Sequence, residues 1–246
     1  MNLELFTSHG FDISPEESAL YERFLTLFME YNTHTNLSAI RDEEGITEKH
    51  FVDSLYGASI IGESLDSRHV DHRRHLAQEV IGQDSPTRGV LTISQTPNDG
   101  AVRLLDIGSG WGFPGIPLKI VLPDIQITLL DSIGKKVKAM NHFIQELWLA
   151  HITAVQARAE DLAKDSFHKG QYDFVVSRAT AYISDILYWA RPFLRKWGKI
   201  VLYKMPSDEE KKDREKTLKK LGLVLEGELT YLLAGKERVR YVIATK

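Results

Sequence analysis

Apolar residues recur at helical spacing near the amino end of the chain, where Leu20, Phe24, Leu27, Phe28 and Tyr31 occupy positions i, i+4, i+7, i+8 and i+11. Just before them stands Ser14-Pro15-Glu16-Glu17, which offers a capping serine, a proline at the first helical position and a glutamate placed to close a capping box. An amphipathic helix is predicted, and its apolar face must dock on something. The polar stretch Asn32 to Asn36 ends it, and a second helical pattern from Glu43 to Ile61 carries His50, Phe51, Asp53 and Leu55. From Gly62 to Gly100 the texture changes to Ser, Asp, Arg, His, Gln, Pro and Thr with only short apolar clusters such as Val90-Leu91-Thr92-Ile93. That predicts a surface insertion or linker, with one short helix near Asp71 to Ile81.

Regular alternation follows. Strands are predicted at Val102–Ile107, Ile125–Leu130, Ile152–Ala157, Tyr172–Ser177 and Gly198–Tyr203, separated by helices at Ile116–Leu122, Lys135–Leu149 and Ile183–Leu194, with Lys211–Leu221 after the last. In the helix from Lys135, the residues Val137, Met140, Ile144, Leu147 and Trp148 share one face. Such alternation predicts an α/β fold with a mostly parallel sheet and helices on both faces. Leu223–Leu233 and Arg238–Thr245 close the chain as an antiparallel edge hairpin. The expected organisation is an N-terminal helical extension (1–61), a polar insertion or linker (62–100) and a ligand-binding core (101–246).

Composition narrows the chemistry. The 246 residues hold 31 Lys+Arg against 34 Asp+Glu, so nothing global attracts nucleic acid and any such partner must be met by local patches. Without cysteine there is no disulfide, thiolate zinc site, iron–sulfur cluster or cysteine nucleophile. No secretory signal and no apolar run of membrane-spanning length is evident, so a cytoplasmic protein without membrane contact is expected. His69, His72 and His75 stand three apart, but Arg68, Arg73 and Arg74 among them oppose a cation, so no metal site is expected and the patch reads as solvated or RNA-facing. Arg195 to Lys220 holds ten Lys/Arg against five Asp/Glu, which suits either a solvated helix face or a grip on phosphates.

The sharpest motif is Asp106-Ile107-Gly108-Ser109-Gly110-Trp111-Gly112-Phe113-Pro114-Gly115. A strand feeding a glycine-rich turn and then a helix lets backbone approach a ligand at the carboxyl edge of the sheet. A dinucleotide fingerprint, G-x-G-x-x-G, would need glycine where Phe113 stands. The pattern here, acid-x-G-x-G-x-G, is similar to that of class I S-adenosylmethionine (SAM) methyltransferases, whose fold is Rossmann-like; the alternative is a glycine loop that only makes a tight turn. Asp131, ending the second strand, can accept hydrogen bonds from a ribose diol, or cap the next helix, or both. Ala159-Glu160 follows the third strand, where backbone N–H and a carboxylate can read an adenine edge; alternatively Glu160 is a surface acid at a helix start. Arg178 ends the fourth strand, the usual catalytic edge of this architecture, where it can orient cofactor or substrate or be a plain surface arginine. No residue is assigned to the chemical step. The Asn/Asp-Pro-Pro-aromatic motif of amino-group methyltransferases is missing here, as is the cysteine of cytosine-C5 enzymes, leaving nucleophiles that need no activation, such as guanine N7. Lys49-His50 and Asp53 lie a helical turn apart, a histidine–carboxylate pair suited to acid/base work or to a structural hydrogen bond.

Together with Ile116-Pro117-Leu118, Leu130-Asp131-Ser132, Lys135-Lys136, Arg158-Ala159-Glu160, Ser177-Arg178-Ala179, Asn36-Leu37-Ser38-Ala39 and His50-Phe51-Val52-Asp53-Ser54-Leu55, the glycine turn resembles the RsmG (GidB) family. These motifs run from Tyr31 to Lys204. The resemblance implies SAM as cofactor and transfer of its methyl group to N7 of a guanosine in small-subunit (16S) ribosomal RNA, with methylation of a small molecule or a protein as the alternative. It implies cofactor contacts at Gly108, Phe113, Ala159, Glu160 and Arg178, to which the turn and the end of the second strand add Gly110 and Asp131 as expected cofactor-binding residues. It further implies small-subunit RNA as partner, free or within the ribosomal subunit, no DNA, and action as a monomer. The chain departs from the family in the longer 62–100 segment and in Trp111, which stands where a small residue is usual.

Overall fold

The capping box at the start of the long helix forms as predicted: Ser14 Oγ accepts from Glu17 N at 3.2 Å and Glu17 Oε2 accepts from Ser14 N at 2.8 Å. The structure, a computed structural model, describes residues 1–35, 38–62, 101–178 and 181–245. Asn36, Leu37, the 62–100 segment beyond Gly62 with its histidines and arginines, and Ala179 therefore lie outside the described residues. A short helix, α1 (Glu4–Thr7), precedes α2 (Pro15–Thr35). Next comes α3 (Glu43–Ile46), which passes into a π-helical stretch (Thr47–Val52) and a last α-turn (Asp53–Leu55).

Five parallel strands then alternate with helices: β1 (Arg103–Ile107), α4 (Gly115–Val121), β2 (Gln126–Asp131), α5 (Gly134–Glu146), β3 (Ile152–Gln156), α6 (Ala159–Leu162), β4 (Tyr172–Arg178), α7 (Ile183–Ala190) and β5 (Leu194–Lys204). The chain closes with α8 (Asp208–Leu221), β6 (Leu223–Leu233) and β7 (Lys236–Thr245). Among the described residues these strands make one sheet of order β3-β2-β1-β4-β5-β7-β6. The last strand enters the sheet antiparallel to β5 and pairs β6 as the edge, the closing hairpin read from the sequence. Strand order reverses between β1 and β4, and a crevice at the carboxyl ends of the strands follows from that reversal.

Side chains alternate between two buried faces. Leu104, Leu129, Val176 and Val201 point into one core, where they meet Phe24, Phe28 and Phe51 of the N-terminal helices and Met140 and Phe143 of α5. Leu105, Leu130, Val175 and Leu202 point into the other, against Ile186 and Leu187 of α7 and Leu218 of α8. The apolar face of α2 thus docks on α4 and α5, the helices that cover this face of the sheet, and Tyr21 donates from its hydroxyl to Pro117 O of α4 across that contact at 2.9 Å.

Two local expectations are corrected. Trp148 does not share the apolar face of α5: the helix ends at Glu146, Trp148 takes φ 53° and is 91% exposed. Helical periodicity cannot place a residue beyond the point where the backbone leaves helical geometry. The helix from Ile183 stops at Ala190 rather than Leu194, because Pro192 has no N–H with which to continue the ladder, and Leu194 already starts β5.

Candidate active site

The glycine turn is pinned to the neighbouring strand. Gly108 N and Ser109 N both donate to Leu130 O, at 2.8 and 3.0 Å, and Gly110 N donates to Asp131 Oδ2 at 3.0 Å. Gly110 has φ 62°, and a Cβ there would meet nothing nearer than Gly108 O at 3.9 Å, so this part of the turn stays bare toward a ligand. Gly115 is needed for the opposite reason, since a Cβ on it would stand 2.2 Å from Leu129 Cδ2 and 2.9 Å from Asp106 Oδ2.

Beneath the turn Asp106 is fully buried. Its Oδ2 accepts from Ser109 Oγ (2.7 Å) and Gly115 N (2.9 Å), while Oδ1 has no hydrogen-bond partner among the described residues. Burial pushes this carboxyl up to about 7, against those two hydrogen bonds, which favour the charged form. Asp131 ends β2 with three donors on it: Gly110 N and Lys136 Nζ (3.4 Å) on Oδ2, and Ile133 N (2.9 Å) on Oδ1. A carboxylate has about four lone-pair sites, so one position remains for an incoming hydroxyl.

A cavity of about 270 Å³ opens at the ends of β1, β2 and β3. Gly108, Asp131, Ala159 and Glu160 line it, with Ile133 and Trp189 supplying apolar wall. Polar groups on one side and flat apolar surface on the other fit an adenosyl group, and the bare glycine turn fits the amino-acid end of SAM. Gly110, Phe113 and Arg178 are not in that wall. Phe113 is buried in an aromatic cluster, stacked on His50 with ring centroids 4.8 Å apart and near Phe24 and Phe28.

Arg178 lies over the Phe113 ring, 5.2 Å from its centroid, and faces the N-terminal helices. It donates to Lys49 O (3.1 Å), Asp53 Oδ2 (3.3 Å) and His50 Nδ1 (3.2 Å). Because arginine can only donate, His50 Nδ1 accepts, and the neutral ring carries its proton on Nε2, 3.2 Å from Ser38 Oγ. Burial first, and the Arg178 charge next, lower the imidazole to about 3. His50 and Asp53 thus meet through Arg178 and make no acid/base couple with each other. The π-helical stretch matters here, since such segments release carbonyls from the regular ladder and Lys49 O is taken by Arg178.

Asp53 is the hub of this cluster. Besides Arg178 it accepts from Arg240 Nη2 (2.5 Å) and Tyr231 Oη (2.8 Å), both from the closing hairpin, and Arg240 stacks on Tyr203 at 3.8 Å. Sequence reasoning did not single out Arg240 or Tyr231. The available signal was a charged residue inside the apolar run Val239 to Ala244. Next to the cluster, at the ends of β4 and β5, lies a second cavity of about 650 Å³ lined by Arg178, Tyr182, Tyr203, Lys204 and Met205 among others.

A glycine turn after the first strand, an acid ending the second, and a parallel sheet that closes with an antiparallel hairpin define a class I SAM-dependent methyltransferase. Comparison with known proteins narrows the class. A profile of the GidB family, described as rRNA small subunit methyltransferase G, matches residues 89–229. Proteins called ribosomal RNA small subunit methyltransferase G are similar over most of their length: 31% identical in Lactococcus lactis subsp. lactis (96% of this chain, 86% of that protein), 33% in Desulforamulus reducens (86% and 74%) and 32% in Lachnoclostridium phytofermentans (97% and 85%). The chain belongs to the rRNA small subunit methyltransferase G (GidB) family.

Proposed function

We propose that the protein transfers the methyl group of SAM to N7 of a guanosine in small-subunit ribosomal RNA. Support comes from family membership, and the observation that carries the reading is the pair of cavities at one sheet edge. The smaller suits the cofactor; the larger, beside it on the β4–β5 side, holds five cations (Lys49, Arg178, Lys204, Arg238, Arg240) against Asp53, Glu209 and Glu210. A wall with that surplus favours a polyanion.

When bound, SAM supplies an electrophilic methyl group. The chain's part is to hold and orient. Asp131 offers its remaining acceptor site to the ribose diol, Ala159 and Glu160 meet the adenine edge, and Gly108 and Gly110 let the backbone come close. Arg178, held by Asp53 and lying over the Phe113 ring at the wall of the larger cavity, orients cofactor or acceptor. Guanine N7 carries a lone pair and loses no proton on attack. The site matches that need: its imidazole is neutral with both nitrogens engaged, and Asp53 is held by two guanidinium groups. Alignment of reactants is then the main source of rate, worth up to about 7–11 kcal/mol in well-aligned reactions. The acceptor base must be unpaired or splayed out to enter.

No helix among the described residues is long and apolar enough to cross a membrane. The enzyme is proposed to act in the cytoplasm as a monomer on RNA in the small subunit. The test supplies methyl-labelled SAM with small ribosomal subunits, naked small-subunit RNA or protein extract, followed by nucleoside mass spectrometry. Label in N7-methylguanosine is expected; label confined to protein or small molecules would refute the assignment.

A further inference from the structure

The cations of the larger cavity are not equivalent. Arg178 and Arg240 share the Asp53 carboxylate, and Lys204 Nζ sits 2.9 Å from Glu210 Oε1. The Arg238 side chain lines the same cavity with neither a hydrogen bond nor an ion pair among the described residues, and its Nη1 is shut off from water without a partner. An unpaired guanidinium that is partly shut off from water is a cost that an apo protein tolerates where a ligand supplies acceptors to its accessible edge. Arg238 and Arg240 are two apart on β7, so they project from the same face roughly 7 Å apart, with Arg238 nearer the hairpin tip. Lys49, exposed on the π-helical stretch, lies on the cavity wall as well, and Glu209 is an exposed carboxylate on the α8 side.

We propose that Arg238, with Lys49, is an anion subsite that grips a backbone phosphate of the acceptor nucleotide and so holds the splayed guanosine in the cavity. Arginine presents a planar fork matched to phosphate oxygens, and its neighbours' charges are already spent on internal carboxylates. The proposal rests on the larger cavity being the acceptor site.

The test uses the full chain, wild type, Arg238→Ala, Arg238→Lys and Met205→Trp, with small-subunit RNA or subunits as substrate. Arg238→Ala breaks no internal bond, so its unfolding midpoint is expected to stay level or rise while RNA affinity falls about tenfold or more. The slope of log affinity against log salt is expected to become shallower by about 1. Arg238→Lys keeps the slope but recovers only part of the affinity. SAM affinity stays within about twofold of wild type throughout. An unchanged salt slope, a fall in SAM affinity instead of RNA affinity, or a lowered unfolding midpoint would each overturn the subsite. Met205→Trp fills the cavity mouth and separates the two levels of the argument. If it leaves RNA methylation intact, the cavity is not the acceptor site; if it blocks methylation while Arg238→Ala binds RNA like wild type, only the phosphate assignment fails.

Discussion

Replacing Asp53 by alanine removes one anion from between two guanidinium groups and a phenol. Arg240 and Asp53 are almost completely buried and Arg178 is largely so, which leaves little water to take over the lost charge. Removing one partner of a buried pair costs about 3–5 kcal/mol, chiefly because the other charge is left uncompensated. Against a net stability of roughly 5–15 kcal/mol for a folded domain, that is a large share. Urea titration monitored by far-UV circular dichroism reads it, with the m-value checked for constancy so that the midpoint shift can be taken as stability. Arg240→Met alone should also be costly, but the double variant should recover part of the loss, with a coupling of about 1–3 kcal/mol, since removing Arg240 together with its carboxylate spares the buried guanidinium that the single variant leaves uncompensated. If Asp53→Ala loses less than about 1 kcal/mol, or if the two single losses simply add, the buried-hub argument is wrong. A functional consequence accompanies it: Arg178 loses its anchor, so methyl transfer should fall further in Asp53→Ala than the folded fraction explains.

Two buried groups give opposing pH dependences. The Asp106 carboxyl is raised from 3.8 to about 7, so the native state holds a proton that the unfolded state releases, and stability falls as pH rises from about 4 to 7. His50 is lowered from 6.5 to about 3, so there the unfolded state binds the extra proton and stability falls as pH drops from about 6.5 to 3. Each contributes up to about 1.4 kcal/mol per pH unit in its window. Asp106→Asn should therefore remove a loss toward pH 7 and His50→Gln a loss toward acid, both read by chemical unfolding at stepped pH; parallel curves for variant and wild type would contradict the assignments. Gly115→Ala forces a methyl against Leu129 and Asp106 and should cost about 1–3 kcal/mol by overpacking, visible in thermal unfolding, and a neutral result would mean the turn relaxes freely. Trp148→Asn should be neutral or stabilising by up to about 1 kcal/mol, because asparagine accepts the left-handed backbone and nothing is packed on the indole; a loss of the size expected for a core tryptophan would reinstate the helical-face placement.

Strand and helix alternation was legible because it rests on local periodicity, and so was the closing hairpin. The capping box at Ser14 was legible for the same reason: its partners are three residues apart. Gly108, Asp131, Ala159 and Glu160 could be gathered in advance because the ends of successive parallel strands meet at one edge in any fold of this kind. Phe113 was harder. Its place in the motif suggested cofactor contact, but its ring lies among Phe24, Phe28 and His50, whose approach depends on how the N-terminal helices dock. The His50–Asp53 pair was noticed as a pair and misses its meaning without Arg178, which stands 125 residues from Asp53.

By itself, then, the sequence determined the alternating architecture, the ligand edge and the chemical class of the turn, since each depends on contacts within a few residues or on the order of strands. Only the tertiary structure decided that Asp53, Arg178 and Arg240 share one charge cluster, that two cavities open at one sheet edge, and that the Arg238 side chain is left without a partner among the described residues. Charges separated by 125 and 187 residues are paired by packing, and no local pattern records which carboxylate a buried guanidinium will find.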